Sequence, residues 1–186
     1  MRIILASKSP RRRELLCKLT TDFDIVVRDV DESLPSGLPP VRGVELLAVR
    51  KGAAVRADVG DSAMIISSDT LVELDGVPLG KPQDALDAKR MLKSLSGRCH
   101  NVHTGVAVHY RGMVYSGSET TRVYFREISD EEIDSYIATG EPMDKAGAYG
   151  IQGLGGKFVS NYDGDFDTVV GLSLKLTEKL IEEATE

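Results

Sequence analysis

Two periodicities alternate along the chain. Residues 2–6 (Arg-Ile-Ile-Leu-Ala) are mostly apolar and enter Ser7-Lys8-Ser9-Pro10. This predicts a short strand and then a helix, with Ser9 as N-cap, Pro10 at the first helical position, and Leu15, Leu16 and Leu19 carried on the helix. Asp24 to Val30 reads as a second strand. Leu34 to Pro40 holds three prolines and a glycine, a loop composition. Val41 to Ala57 returns to the helical period. Ala63 to Ser67 is a near-continuous apolar run, as in a strand buried on both faces. Leu71 to Leu79 suggests a hairpin about Asp75-Gly76.

Asp84 to Leu95 gathers Ala85, Ala88, Leu92 and Leu95 on one helical face and stops at Gly97. Val102, Thr104, Val106, Val108 and Tyr110 alternate, turn at Arg111-Gly112, and return through Val114 to Phe125 as a long antiparallel pair. Ser129 and Glu132 form a capping box for a helix ending before Gly140. Gly147, Gly150, Gly153, Gly155 and Gly156 suggest a flexible loop, and Val169 to Glu183 a closing helix. The expected class is α/β, a mixed twisted sheet with flanking helices and a second lobe. No linker divides the chain, so residues 1–186 are expected to form a single domain.

Composition narrows the function classes. In 186 residues, 23 Lys+Arg against 29 Asp+Glu leave a net charge of −6. That argues against a polybasic nucleic-acid or membrane surface. Apolar runs such as Ala63–Ile66 are four residues long, far short of the roughly 20 that span a bilayer. Cys17 and Cys99 make no CxxC pair, which suits a reducing, cytoplasmic setting. No GxxxxGK[ST] or GxGxxG is present. His100 and His103 have an odd separation, so on one strand they face opposite ways, and His109 lies too far along it to complete a metal site with either.

Four segments break their own local logic. Ser7 to Arg13 places Arg11, Arg12 and Arg13 in a helix's first turn, where cations are disfavoured by ~0.3–1 kcal/mol each. An anion between the helix end and the guanidinium forks would reverse that sign; a solvated basic turn is the alternative. Lys51 falls near the centre of the stripe Val44, Ala48, Val55, so it must snorkel or meet a buried anion. Asp69, in Ser67-Ser68-Asp69-Thr70 at the expected end of the buried strand, can hold a divalent cation, take a proton from water, or simply cap a turn. Lys81 lies in Gly80-Lys81-Pro82, at the far end of the hairpin. The glycine-rich segment reads by default as a surface loop; its Gln152 amide offers a donor beside an acceptor, which can pair with a pyrimidine edge. Asp29-x-Asp31-x-Ser33 after a strand mimics the start of an aspartyl-phosphate phosphatase and stands as a rival reading.

Leu5-Ala6-Ser7-Lys8-Ser9-Pro10-Arg11-Arg12, Glu32, Lys51, Ser68-Asp69-Thr70, Gly80-Lys81-Pro82 and Asp144-Lys145-Ala146-Gly147-x-Tyr149-x-Ile151-Gln152-Gly153 together resemble the Maf family of nucleoside-triphosphate pyrophosphatases over essentially the whole chain. The resemblance implies a Maf/inosine-triphosphatase-like fold with a cleft between two lobes. It also implies a divalent cation (Mg²⁺, Mn²⁺ or Co²⁺) and hydrolysis of a nucleoside triphosphate to the monophosphate and pyrophosphate. Carried over residue by residue, Ser7, Arg11, Arg12, Lys51 and Lys81 would bind phosphate. Glu32 and Asp69 would hold the metal, with Asp69 also the proton acceptor. Arg12, Thr70 and Gln152 resemble the branch acting on dTTP and UTP. A homodimer is an expectation at family level, and a non-catalytic nucleotide-binding regulator of cell division is the alternative. Ser173 stands where the family commonly has proline, a change expected to alter a surface turn.

Overall fold

The computed structural model describes residues 1–186. A seven-stranded sheet has the order β2-β1-β3-β5-β6-β7, with β4 paired to β3. The chain forms two compact units: residues 1–70, 104–119 and 171–186, and residues 71–103 and 120–170.

In the first unit β1 (Arg2–Leu5) lies parallel to both β2 (Asp24–Ile25) and the start of β3 (Ala63–Leu74). The strand expected over residues 24–30 shrinks to two residues. With only four residues, β1 offers no further edge after Val26 N donates to Leu5 O at 3.2 Å. As expected, Ser9 caps α1 (Pro10–Leu16) with Pro10 in its first turn; Leu19 falls in the turn beyond. Helix α2 (Pro40–Val59) outruns its predicted limits at both ends. Its Val55 packs with Ile4, Ala6, Ala63 and Ile65 in a core from which water is excluded. Ile4, Val55 and Ile65, fully buried, each contribute ~1.5–3 kcal/mol.

The expected closing helix is two helices, α5 (Phe166–Val170) in the second unit and α6 (Leu174–Thr185) in the first. Gly171 between them has φ 128°, which no helix accommodates. Ser173 is not in a surface turn. It is fully buried, accepts from Leu176 N as the α6 N-cap, and donates to Glu119 Oε2 at 2.9 Å.

The second unit begins within β3, which does not stop at Ser67 but continues to Leu74. Asp75 and Gly76, both at positive φ, turn it into β4 (Val77–Leu79). Helices α3 (Ala85–Leu95) and α4 (Asp130–Ala138) start at the Asp84 N-cap and the Ser129–Glu132 capping box. They bury Leu92, Leu95, Ile133 and Tyr136 against Val102 of β5 (Cys99–Tyr110), Val123 of β6 (Met113–Phe125), and Phe158. Phe125 stands edge-on to Tyr149 and His100, at 4.7 and 4.9 Å between ring centroids. The β5–β6 turn at Arg111-Gly112, in the first unit, is as expected, and β7 (Val159–Asp163) pairs antiparallel with β6.

Candidate active site

The first unit gathers most of the motif residues. β1 delivers the chain to Ser7, which is buried and whose Oγ accepts from Ser9 N at 3.2 Å. In the first turn of α1, Arg12 is held by three oxygens. Its Nε donates to Gly171 O at 2.8 Å, Nη2 to Thr70 Oγ1 at 3.2 Å, and Nη1 to Ser7 Oγ at 3.4 Å. Ser68 Oγ also donates to Gly171 O, and Thr70 shares a 2.9 Å hydrogen bond with Thr104. Desolvation pushes the Arg12 guanidinium below its ordinary pKa, Asp69 and Glu32 pull it back up, and Arg11 adds to the lowering. Arginine titrates so high that it stays a cation, here a fixed one. Arg11 is half-buried and Arg13 exposed.

Asp69 sits in mid-strand rather than beyond a strand end. Ser67 and Ser68 are fully buried because their hydroxyls bond to Ala48 O and Gly171 O, so a polar run here marks buried partners and not a loop. The Ala48 bond draws α2 onto β3. The close approach continues at Gly52, where a Cβ would lie 2.7 Å from Ser67 Oγ and collide with the His109 ring.

This docking brings Lys51 down to the strand. Of its two expected fates it takes the second. Lys51 Nζ lies 2.5 Å from Asp69 Oδ1 and 2.8 Å from Glu32 Oε1. Its side chain is 18% exposed and that of Asp69 13%, while Glu32 at 63% reaches in from the surface. The segment carrying Glu32 is folded on itself: Ser33 N and Oγ bond the Asp31 carboxylate, and Arg50 Nη1 donates to Asp31 O and Ser33 O. No sequence pattern marks Arg50. A helix arginine has no distinguishing spacing when its partners are main-chain oxygens.

Asp29, the rival nucleophile, lies four residues past the end of β2 with a fully exposed side chain, facing Lys8 at 3.6 Å. An aspartyl nucleophile held at a strand end is not what the chain builds there.

Lys81 and Gln152 belong to the second unit, and both are exposed. Lys81 follows β4, and the neighbouring Gly80 O accepts from Gly147 N at 3.1 Å. The glycine-rich segment is packed rather than loose, winding through three short 3₁₀ turns between residues 141 and 158. Gly147 has φ 70° and abuts Val72. The Glu141 carboxylate accepts from Tyr136 Oη, Leu154 N and Gly155 N, and Tyr136 Oη accepts from Gly150 N.

No three His, Cys, Asp or Glu side chains are grouped as a metal cage. His103 uses both ring nitrogens, on Glu73 and Thr120, and His100 bonds Tyr149. Glu32 and Asp69 nevertheless suit a hard divalent ion. Each has an oxygen on the same ammonium, so those oxygens lie no farther apart than the two contacts end to end. Mg²⁺-like ions are commonly held by one or two carboxylates plus substrate phosphates and water.

The chain matches the family model described as Maf-like protein over residues 2–184. It is 48% identical over 180 residues to a dTTP/UTP pyrophosphatase of Vibrio cholerae serotype O1, covering 97% of this chain and 96% of that protein. It is 49% identical to a dTTP/UTP pyrophosphatase of Thermococcus gammatolerans, with 97% and 95% covered. Among solved structures the Staphylococcus aureus Ham1 protein superposes with a TM-score of 0.54 at 16% identity, covering 100% of this chain and 94% of that one, a likeness of fold. With the family model spanning nearly every residue and relatives near one-half identity along the full length, the chain belongs to the Maf-like protein family.

Proposed function

We propose that residues 1–186 constitute one nucleoside-triphosphate pyrophosphatase domain that hydrolyses dTTP and UTP to the monophosphate and pyrophosphate. The observation that carries this reading is Lys51 held between Asp69 and Glu32, in the same unit as an Arg12 fixed by Gly171, Thr70 and Ser7. Relatives named as dTTP/UTP pyrophosphatases support it.

Attack of water at the α-phosphorus forms one P–O bond and breaks the bond to the β-phosphate bridge oxygen, so pyrophosphate leaves. Little covalent work falls to the protein; orientation and charge neutralisation carry the catalysis. Asp69 takes the proton from water, since its carboxylate is sheltered and already held in place by Lys51. Glu32 and Asp69 would hold the divalent ion, which when bound would offset phosphate charge and favour hydroxide. Ser7 and Arg12, anchored by their hydrogen bonds, bind phosphate oxygens together with Arg11. Lys51 offsets charge developing at the reacting group. For Lys81, as a cation for phosphate, and for Gln152 and Thr70, as readers of the base, the assignment rests on the family resemblance.

The test is Asp69→Asn, which keeps shape and removes basicity. Turnover of dTTP and UTP should fall at least ~100-fold, the usual contribution of a general base. Turnover within a few-fold of the parent removes Asp69 from the role. Orthophosphate in place of pyrophosphate as the product overturns the reaction assignment itself.

A further inference from the structure

Glu32 poses a positioning problem. It sits between β2 and α2, where residues 26–39 form no helix or strand, and its side chain is 63% exposed. Yet its carboxylate meets Lys51 at 2.8 Å. A free loop would spread that carboxylate over many positions, because each unconstrained residue keeps its backbone freedom.

Two devices remove the freedom. Asp31 closes a local turn, its two carboxylate oxygens accepting from Ser33 N at 2.8 Å and Ser33 Oγ at 2.7 Å. Arg50 then grips the main chain on both sides of Glu32, its Nη1 donating to Asp31 O at 3.1 Å and Ser33 O at 2.6 Å. Arg50 and Lys51 are neighbours on α2. One takes the carbonyls flanking Glu32 and the other takes its carboxylate. Helix α2 is itself fixed through Ser67 Oγ on Ala48 O, so the grip carries the register of β3 to the Glu32 segment.

We propose that Arg50 is a positioning residue that holds the 31–33 segment so that the Glu32 carboxylate stays at Lys51. The proposal rests on the reading of Glu32 as part of the active site. Losing a group that orients a metal-binding or catalytic side chain typically costs ~10–100-fold in affinity or activity.

The experiment compares Arg50→Gln, Arg50→Lys, Glu32→Gln and the double variant Arg50→Gln/Glu32→Gln. It measures kcat and KM for dTTP, thermal melting, and Mn²⁺ binding by calorimetry with a non-hydrolysable α,β-methylene dTTP analogue. Arg50→Gln should lower kcat about tenfold with KM within about twofold, and weaken Mn²⁺ binding about tenfold. Arg50→Lys, which keeps one cationic donor for the carbonyls, should recover part of both losses. The double variant should be no worse than Glu32→Gln alone, since Arg50 then has nothing left to position. Multiplying losses in the double variant, or unchanged kcat and Mn²⁺ binding in Arg50→Gln, overturn the proposal. If Arg50→Gln does not fold, Arg50→Lys alone and combined with Glu32→Gln carries the same comparison. Full turnover by Glu32→Gln would overturn the wider assignment of Glu32, a distinct result.

Discussion

Lys51→Met separates a catalytic lysine from a snorkelling one. Methionine retains most of the apolar stem and deletes the ammonium that contacts Asp69 at 2.5 Å and Glu32 at 2.8 Å. Breaking a fully buried ion pair costs ~3–5 kcal/mol, because one charge is left without partner or water. Here the cost is smaller. Glu32 is 63% exposed and rehydrates freely, leaving the 13%-exposed Asp69 as the group that suffers. A stability loss of ~1–2 kcal/mol follows, and with it a drop in Tm of about 3–6 °C for a chain of this length. The catalytic cost is larger. A preorganised group aimed at developing charge is typically worth ~2.7–4 kcal/mol, or 10²–10³ in kcat. The assay is pyrophosphate release from dTTP and UTP well below the variant's Tm, with folding checked by circular dichroism. Activity within about threefold of the parent would refute the reasoning and leave Lys51 a core lysine with a convenient partner. So would a collapse in Tm large enough to account for the lost activity by unfolding, since a stability loss of ~1–2 kcal/mol leaves a typical domain folded.

Other consequences are equally direct. Gly147→Ala places a Cβ 2.9 Å from Val72 at φ 70°, and should destabilise by ~1–3 kcal/mol, read from urea midpoints. Burial pushes the His100 imidazole down to about 4, so the unfolded chain takes up its proton at higher pH than the folded one. The stability this residue contributes is therefore complete above the ordinary histidine pKa of ~6.5 and is lost as pH falls towards 4. It amounts to about 3 kcal/mol. Urea midpoints should fall over that window in the parent, and a flat profile would contradict the assignment. Gln152→Glu replaces the amide donor with an acceptor and should change the preference among nucleoside triphosphates. An unaltered ranking in a substrate panel would take Gln152 out of base selection.

The sequence by itself determined what depends on near neighbours. Ser9 and Pro10, Asp84, and Ser129 with Glu132 start helices because a cap bonds an amide two or three residues on. Asp75-Gly76 and Arg111-Gly112 turn hairpins because both positions reach positive φ. Alternation and apolar runs located the sheet, and the motif residues named the family. Tertiary structure decided everything that needed a distant partner. The polar run Ser67–Thr70 looked like a strand end until α2 and Gly171 supplied oxygens for its hydroxyls. Arg12 is fixed by a carbonyl 159 residues away, and Lys51 was ambiguous until Asp69 and Glu32 stood beside it. Arg50 left no mark on any local pattern, and the cap pattern of Ser173 carries no sign of its burial against Glu119. Periodicity reports which face of an element turns inward; it carries no information about which group waits there, because that is set by chain segments whose separation in sequence is arbitrary.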